Sequence, residues 1–367
     1  MGMKCGIVGL PNVGKSTLFN ALTAAGVAAE NYPFCTTDPN VGSVPAPDER
    51  LAALSGLLKP ERVVPAALDF VDIAGLVRGA SQGEGMGNEF LDHIRNVDAI
   101  AHVVRCFADP LVTFHESVIG VDPSRDADIV EFELLQKDLA WTERRLEKAS
   151  HLLRTGDKGF KHEVGLYERM IAWLNAEKPL AEMEFGEEDQ PVLRAMGPLS
   201  LKPMFYVANL GEEATGSAEP PALAALRAHA QKKGREVAMF FARLEAEVRE
   251  LPEEERAEFR EGLGLGAPGV LDLVRAGYRA LRLVTFYTKV GPELRAWTVR
   301  QGSTAPQAAG VIHTDFERGF IKAEVCAFDD FIAAGSEAEA RKHGHLRQEG
   351  KEYVVRDGDV IHFRFNV

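Results

Sequence analysis

The chain has 367 residues, with 42 Lys and Arg against 55 Asp and Glu, and a formal net charge of −13. Hydrophobic residues make up 46% and charged residues 26%, which is typical of a globular protein and excludes disordered and collagen-like chains. The length predicts two or three domains. The acidic balance excludes a protein that coats nucleic acid non-specifically, although it leaves room for a local basic patch.

The sequence also lacks the signals of membrane and secreted proteins. No apolar run reaches the roughly 20 residues that a bilayer-spanning helix needs, and the first nine residues turn polar too early for a secretory signal. The four cysteines are scattered without a CxxC pair, which indicates reduced thiols rather than a zinc site or a disulfide framework. We expect a cytoplasmic monomer with no membrane association.

Strand-like and helical patterns alternate along much of the chain. Helical patterns include Asn88–Asn96 and Pro221–Lys233. The strand-like runs are Lys4–Gly9, Val63–Ile73, Asp98–Val104, Pro203–Ala208 and Glu236–Phe241. This alternation predicts an α/β fold with a mostly parallel sheet covered on both faces.

Between about Ile129 and Lys202 the alternation stops. Leucines recur near heptad spacing from Leu135 to Leu153, a turn follows at Arg154–Gly159, and the spacing resumes from Val164 to Leu174. The pattern predicts an inserted helical hairpin of the coiled-coil type that projects as an arm. A stripe that faces the sheet is the alternative, but the length and charge favour an arm. The acidic stretch 182–190 is interpreted as a solvated linker.

The last part of the chain reads as a small α+β domain. Residues 280–367 hold 12 Lys and Arg and 12 Asp and Glu, so this end is neutral. Its strand candidates are Val284–Lys289, Leu294–Val299, Gly319–Val325 and Val360–Phe365, and its helix candidates are Ala305–Thr314 and Ser336–His343. We expect an α/β domain over 1–128 and 203–278, a helical arm over 129–202 and a third domain over 279–367.

The first chemical motif is Gly9–Ser16, which fits GxxxxGK[ST] without mismatch between a strand and a helix. Its glycines let backbone N–H groups close around phosphate oxygens, and the following helix adds a favourable dipole. Lys15 would place a charge on the β- and γ-phosphates, and Ser16 would offer its hydroxyl to Mg²⁺. The alternative is a glycine-rich turn with a chance lysine, which the strand–loop–helix context disfavours.

Two further segments fit a nucleotide switch. Asp72 ends an apolar strand and begins a DxxG motif, so its carboxylate could reach Mg²⁺ through a water and the N–H of Gly75 could meet the γ-phosphate. Thr36 or Thr37, in the Tyr32–Asn40 loop, could complete the Mg²⁺ shell only when the γ-phosphate is present. Ordinary turn chemistry around the prolines of this loop is the alternative.

With these motifs the chain resembles the YchF family, also called Obg-like ATPases, within the Obg-related P-loop NTPases of the translation-factor class. The resemblance covers essentially the whole chain. It rests on Gly9–Thr17, Tyr32–Asn40, Asp72–Gly75, the glycine-rich Gly75–Asn88, and the C-terminal segments Arg295–Thr298, Ala305–Gly310, His313–Ile321 and Phe365–Val367. It implies a C-terminal TGS domain of the β-grasp type, and a ribosome or ribosomal RNA partner in translation or stress regulation.

The base-reading motif departs from that of GTPases. GTPases carry Asn-Lys-x-Asp after the corresponding strand, and the aspartate accepts from guanine N1–H and the 2-amino group. Here the motif is Asn209–Glu212, with Leu210 in place of the lysine and Glu212 in place of the aspartate. Adenine lacks both donors, so a site without that aspartate should lose its preference for guanine. In the YchF family this pattern implies ATP over GTP, with the backbone of Leu210 at the adenine amino group. A chance tetrapeptide is the alternative.

The catalytic glutamine of Ras-like enzymes is also missing. The residue after DxxG is Leu76, which cannot orient water. A K⁺ ion held partly by Asn12, a mobile residue such as His115 or Arg78, or a partner could substitute for it. For His115 an exposed loop histidine is an equally good interpretation. We therefore expect slow intrinsic turnover.

The leading interpretation is an Mg²⁺-dependent ATPase switch that forms ADP and phosphate. Its catalytic candidates are Lys15, Gly75 and His115, and its metal ligands Ser16, Thr36 and, through water, Asp72. The ATP-binding candidates are Asn12, Val13, Gly14, Lys15, Ser16, Thr17, Asn209, Leu210, Glu212 and Ala242. A GTPase in ribosome assembly, a nucleotide-stabilised binding module without turnover and, remotely, a small-molecule kinase are the alternatives. A Leu210→Lys/Glu212→Asp double variant should shift preference toward GTP.

Overall fold

The computed structural model describes residues 3–27, 40–73, 94–108, 120–215, 219–265 and 269–366. Six of the described strands form a first sheet in the order β2-β4-β1-β5-β6-β7. They are β1 Lys4–Val8, β2 Val41–Pro45, β4 Ala67–Asp72, β5 Ala99–Arg105, β6 Met204–Asn209 and β7 Val237–Phe240. All neighbouring pairs are parallel except β2 with β4, which is antiparallel. The prediction of a mostly parallel sheet is confirmed, although β2 was not predicted.

Helices cover both faces of this sheet. Successive side chains of a strand point to opposite faces, so the apolar side chains of one strand pack against helices on both sides. On β6, Phe205 and Val207 pack in one apolar cluster with residues of α1 (Lys15–Val27) and α9 (Gly269–Ala280). Tyr206 and Ala208 pack in another with Leu223 of α6 (Pro221–Lys232). Outside residues 123–196, the other described α-helices before α9 are α2 Glu49–Leu58, α7 Ala242–Glu250 and α8 Glu253–Gly262.

The helical arm is built from α3 (Pro123–Arg154) and α4 (Lys161–Asn175), followed by α5 (Gln190–Met196). The six-residue turn between α3 and α4 makes them antiparallel neighbours. Their facing side chains, among them Leu135, Ala149, Leu166, Tyr167, Met170 and Leu174, form a buried cluster. The predicted helical hairpin is confirmed.

Two buried carboxylates fasten the chain that returns from the arm. Asp138 of α3 is fully buried and accepts from the backbone N–H groups of Leu199 and Ser200, at 2.8 and 2.7 Å. Asp189 is also buried and accepts from Arg169 at 3.1 Å. The interpretation of 182–190 as a solvated linker was therefore wrong at Asp189, because its buried carboxylate accepts a hydrogen bond from Arg169 on α4.

A second sheet has the order β11-β10-β12-β8-β9-β3. Its strands are β3 Arg62–Val64, β8 Leu283–Val290, β9 Glu293–Arg300, β10 Phe320–Cys326, β11 Arg347–Glu349 and β12 Val360–Phe365. Helices α10 Ala305–Ile312, α11 Thr314–Arg318, α12 Phe328–Ala334 and α13 Glu337–Lys342 complete this α+β unit. All four strand candidates of the last part of the chain are confirmed.

The two sheets share one stretch of chain that the sequence predicted as a single strand-like run. β3 pairs with β9 in the second sheet, whereas β4 pairs with β1 and β2 in the first. Pro65 stands between them, and a proline lacks the N–H that a continuous ladder would need. Across the same junction, Arg50 donates to Asp357 at 2.7 Å, which joins α2 to the turn before β12.

Among the described helices, none combines the length and the apolar character that crossing a bilayer requires. The predicted helix over Asn88–Asn96 lies mostly outside the described residues.

Candidate nucleotide-binding site

A cleft of about 860 Å³ opens at the carboxyl ends of β5 and β6, beside the loop that follows β1. Parallel sheets bind ligands at this edge, because the loops there converge. Nine of the ten predicted ATP-binding residues line the cleft, namely Asn12, Gly14, Lys15, Ser16, Thr17, Asn209, Leu210, Glu212 and Ala242. Segments nearly 200 residues apart in sequence, at Asn12 and Asn209, are thereby brought together.

The loop between β1 and α1 holds an unusual backbone conformation. Asn12 and Gly14 have φ angles of 62° and 97°, in the left-handed region, which glycine adopts without steric cost and asparagine tolerates better than most residues. A Cβ atom at Gly14 would collide with Nδ2 of Asn209. Gly14 is therefore required both for the turn and for the close approach of the two loops.

Lys15 is buried to all but 8% of its surface and begins α1. Its Nζ donates to the carbonyl oxygen of Leu10 at 2.7 Å, inside the loop. Burial lowers the pKa of Lys15 to about 8, and the negative charge of Asp72 opposes this shift because an opposite charge favours the ionised form. A buried ammonium inside a loop of backbone N–H groups is suited to an anionic ligand.

Asp72 and Ser16 are the two predicted metal ligands that lie in the described part of the chain, and of the two only Ser16 lines the cleft. Asp72 ends β4, and the register aligns it with Ile7 of β1, just before the loop. Its carboxylate is half-buried, so desolvation raises its pKa while Lys15 lowers it. Ser16 is exposed toward the cleft. Hard oxygen donors of this kind fit Mg²⁺, so the residues present are compatible with that ion.

Asn209 joins the two ends of the cleft. Its Nδ2 donates to the carbonyl oxygen of Val13 at 2.9 Å, and its Oδ1 accepts from the backbone N–H of Ala242 at 3.1 Å. All three residues are buried, so both hydrogen bonds are shielded from water. The side chain thus fixes the position of the phosphate loop relative to the start of α7. Val13, the tenth predicted residue, participates through its carbonyl oxygen.

At the other end of the cleft, Leu210 and Glu212 behave differently. The side chain of Leu210 is only 3% exposed and packs in the apolar cluster under α6, while its N–H donates to the carbonyl oxygen of Phe240 at 2.8 Å. Glu212 is exposed and begins a 3₁₀ turn, Glu212–Thr215. All four residues of this motif, Asn209 to Glu212, line the cleft, with the side chain of Leu210 packed in the apolar cluster and that of Glu212 exposed.

The cleft also contains residues that the sequence motifs did not predict. They are Phe107, Ala108, Gly211, Glu213, Arg243 and Ala246. Phe107 follows β5, and the guanidinium of Arg105 lies 4.7 Å from the centroid of its ring. The available signal was its position just past the carboxyl end of a central parallel strand, where ligand-binding residues concentrate.

Three predicted site residues lie outside the described part of the chain. They are Thr36, Gly75 and His115, and the same holds for Leu76 and Arg78. The assignments of a third metal ligand, a γ-phosphate sensor and a mobile catalytic group therefore stay predictions.

Comparisons with known proteins agree with this geometry. Residues 4–137 match a family described as 50S ribosome-binding GTPase, and residues 283–366 match the YchF-GTPase_C family, described as a protein of unknown function. The "Ribosome-binding ATPase YchF" of Pasteurella multocida is 49% identical over 368 residues, and that of Bacillus subtilis is 48% identical over 371, each covering 100% of both chains. A structure titled as the YchF GTPase of Schizosaccharomyces pombe has a TM-score of 0.85 and 36% identity over 99% of this chain and 98% of that one.

The names of these relatives disagree about the nucleotide. The two bacterial proteins are called ATPases, whereas the fission yeast structure and the family matched by residues 4–137 are called GTPases. The choice of base must therefore be argued from the residues at the base end of the cleft.

Proposed function

This chain belongs to the YchF family, and we propose that it hydrolyses ATP to ADP and phosphate and associates with ribosomes. The likeness to full-length relatives supports both parts, since the bacterial proteins are named ribosome-binding ATPases. The preference for ATP over GTP is carried by the base end of the cleft.

The single observation behind that preference is the arrangement of Leu210 and Glu212. A lysine and an aspartate would stand here in a guanine-binding site, but here the side chain of Leu210 packs in the apolar cluster under α6. The N–H of Leu210 is already bonded to Phe240, so its carbonyl oxygen is the group left to read a base. A carbonyl accepts from the adenine 6-amino group and repels the guanine 6-oxygen, so this arrangement favours ATP over GTP.

The hydrolytic step uses groups that the fold has already positioned. Lys15 would exchange the Leu10 carbonyl for oxygens of the β- and γ-phosphates and stabilise the charge that develops there in the transition state. The backbone N–H groups of the loop would bind the remaining phosphate oxygens. In the described part of the chain, none of the cleft residues is a glutamine that could orient the attacking water, which is consistent with slow intrinsic turnover.

Mg²⁺ is the cofactor that this site would take. When bound, it neutralises charge on the β- and γ-phosphates. We propose that the hydroxyl of Ser16 and, through a water, the carboxylate of Asp72 hold it, with Thr36 as a further candidate. K⁺ near Asn12 stays a prediction that rests on the missing glutamine alone.

Equilibrium binding and turnover of ATP and GTP, measured with Mg²⁺ on the unmodified protein, test the function. We expect tighter ATP binding, and ATP hydrolysis that is slow alone. Tighter GTP binding would overturn the adenine argument and leave a GTPase, and nucleotide binding without turnover, with ribosomes present, would leave a binding module. The Leu210→Lys/Glu212→Asp double variant is a poor test, because a lysine in place of Leu210 would put a charge in an apolar cluster.

We further propose that the bound nucleotide controls ribosome association, and through it translation or the stress response. The support is a contact between the nucleotide domain and the arm. Nζ of Lys202 donates to the carbonyl oxygens of Arg95 and Val97 just before β5, and the guanidinium of Arg95 lies 5.7 Å from the ring of Trp141 on α3. Sedimentation with ribosomes, compared between a non-hydrolysable ATP analogue and ADP, tests this; equal binding in both states contradicts it.

A further inference from the structure

Strand β5 ends in a buried cation at the edge of the cleft. Apart from His102 and Arg105, the strand consists of buried apolar residues, and Arg105 itself is only 3% exposed. Burying a charge is costly unless the charge is hydrogen-bonded or paired. The contacts of Arg105 should therefore show what the side chain does in this position.

Two of these contacts reach the same neighbouring residue. Nε of Arg105 donates to the carbonyl oxygen of Phe107 at 3.1 Å, and its guanidinium lies over the ring of Phe107, 4.7 Å from the centroid. That separation is within the roughly 6 Å over which a ring attracts a cation. One side chain thus restrains both the main chain and the ring of Phe107.

Phe107 lies beside the motif that we propose to select the base. In the parallel register Arg105 is aligned with Asn209 of β6, and the N–H of Cys106 donates to the carbonyl oxygen of Asn209 at 2.9 Å. The half-buried Phe107 lines the same cleft as Leu210. An aromatic ring at this place is suited to stack on a base, and stacking tolerates any base because each has a π-face.

We propose that Arg105 is a positioning residue for the nucleotide, which holds the ring of Phe107 where it stacks on the purine. With the guanidinium over one face of the ring, the base would stack on the opposite face. The inference rests on the proposed nucleotide binding and adds a different contribution to it. Arg105 should increase the affinity for ATP and GTP alike, whereas Leu210 and Glu212 decide between them.

The test compares Mg·ATP with Mg·tripolyphosphate, which lacks the sugar and the base. The variants of the full chain are Arg105→Lys, Phe107→Leu and the two combined. Lysine keeps the charge, but it lacks the planar group that can lie over a ring while one N–H donates to a carbonyl. Arg235→Lys is the matched control, because that guanidinium lies 5.5 Å from the ring centroid of Tyr206 just before β7, at the strand ends opposite the cleft. Calorimetric titration gives the affinities.

We expect Phe107→Leu to weaken ATP binding roughly 5- to 150-fold, the range for losing one stacked base. Arg105→Lys should weaken it by a smaller factor, roughly 3- to 30-fold, through the lost ring contact and hydrogen bond. Both variants should keep the tripolyphosphate affinity of the unmodified protein, and Arg235→Lys should keep both affinities. Adding Arg105→Lys to Phe107→Leu should cost little more, because the arginine acts through the ring.

Three results would overturn the proposal. The first is an unchanged ATP affinity in Arg105→Lys. The second is an equal loss of ATP and tripolyphosphate binding, which would assign Arg105 to the phosphate loop or to folding. The third is the same loss from Arg105→Lys with phenylalanine or leucine at position 107, which would show that Phe107 does not transmit the effect.

Two further measurements separate this inference from a folding defect and from the proposed function. Thermal unfolding checks each variant, and if Arg105→Lys does not fold, an unchanged ATP affinity in the half-buried Phe107→Leu still overturns the inference. Because affinity is measured, nucleotide binding without turnover would remove the ATPase and leave this inference standing. Tighter binding of GTP would remove the adenine argument, and the same set of variants titrated with GTP would then decide the role of Arg105.

Discussion

The two ends of the cleft are built from different kinds of groups. At the phosphate end, the buried Lys15 and the close contact of Gly14 with Asn209 form a site that burial and shielded hydrogen bonds hold in place. At the base end, the groups proposed to select the base are the exposed Glu212 and the backbone carbonyl of Leu210. Affinity and catalysis should therefore depend on the buried end, with large effects of mutation, and base selectivity on the exposed end, with small ones.

The largest effect should follow from removing the buried charge. In Lys15→Ala the transition state loses its cation, and we expect turnover to fall by at least about 10²-fold, the size seen when one stabilising donor is removed from a catalytic site. Single-turnover hydrolysis of ATP measures this. A loss below tenfold would show that Lys15 does not contact the phosphates during reaction.

The same position offers a control for folding. Lys15→Met keeps the length of the side chain without its charge, and burial disfavours that charge in the free protein. The variant should therefore be as stable as the unmodified protein, or more so, while remaining inactive. A marked loss of stability would instead assign Lys15 a structural role.

The second prediction concerns the two hydrogen bonds by which Asn209 connects the phosphate loop to the start of α7. Asn209→Ala leaves the carbonyl of Val13 and the N–H of Ala242 buried without their partner, at a cost of about 1–3 kcal/mol for each group. Denaturant unfolding should show this loss. The affinities for ATP and GTP should fall by similar factors, because the Asn209 side chain positions the phosphate loop and does not distinguish the base.

Asn209→Asp sharpens this test. The aspartate keeps an acceptor for the N–H of Ala242 but faces the carbonyl of Val13 with an oxygen instead of a donor. It should be at least as destabilised as the alanine variant, since it also buries a charge. If Asn209→Asp is as stable as the unmodified protein, the bond to Val13 does not matter.

The same contrast explains how much of the molecule the sequence could predict. The phosphate loop and the parallel strands are local patterns, and Gly9–Ser16 and the strand ending at Asp72 were found where predicted. Phe107 was missed because no short motif contains it, and Arg243 was missed although it directly follows the predicted Ala242. They meet only when β5 and α7 converge on the cleft.

Long-range pairing was the other feature that local reasoning could not reach. β3 and β4 are separated by two residues but belong to different sheets, and the partner of β3 is β9, about 230 residues later. No periodicity in Val63–Ile73 carries that information. Likewise the role of Asn209 as a brace was not predicted, because the motif indicated only a base reader.

The third prediction concerns the exposed end. Glu212→Asp restores the guanine-reading carboxylate without disturbing the buried Leu210, and we expect GTP affinity relative to ATP to rise by about tenfold or less, because an exposed hydrogen bond contributes about 1 kcal/mol. Competition between the two nucleotides measures the ratio. Glu213→Asp is the matched control, since Glu213 is also exposed and also lines the cleft, and it should leave the ratio unchanged.

The smallest expected effect is the uptake of a fraction of a proton when the nucleotide binds. Burial lowers the pKa of Lys15 to about 8 in the free protein, whereas phosphates favour the charged ammonium and raise the pKa on binding. Binding at pH 8 should therefore take up about 0.5 proton at this residue, and affinity should decline as pH rises above 8. In the same way the unfolded chain binds more protons than the folded one between pH 8 and the ordinary lysine pKa, so the unfavourable contribution of the buried Lys15 charge to folding shrinks as pH rises through that window. Calorimetry in two buffers of different ionisation enthalpy measures the uptake, and Lys15→Met, assayed at high nucleotide concentration, should lack this component. An uptake that persists in the methionine variant would place the titrating group elsewhere and leave Lys15 charged throughout.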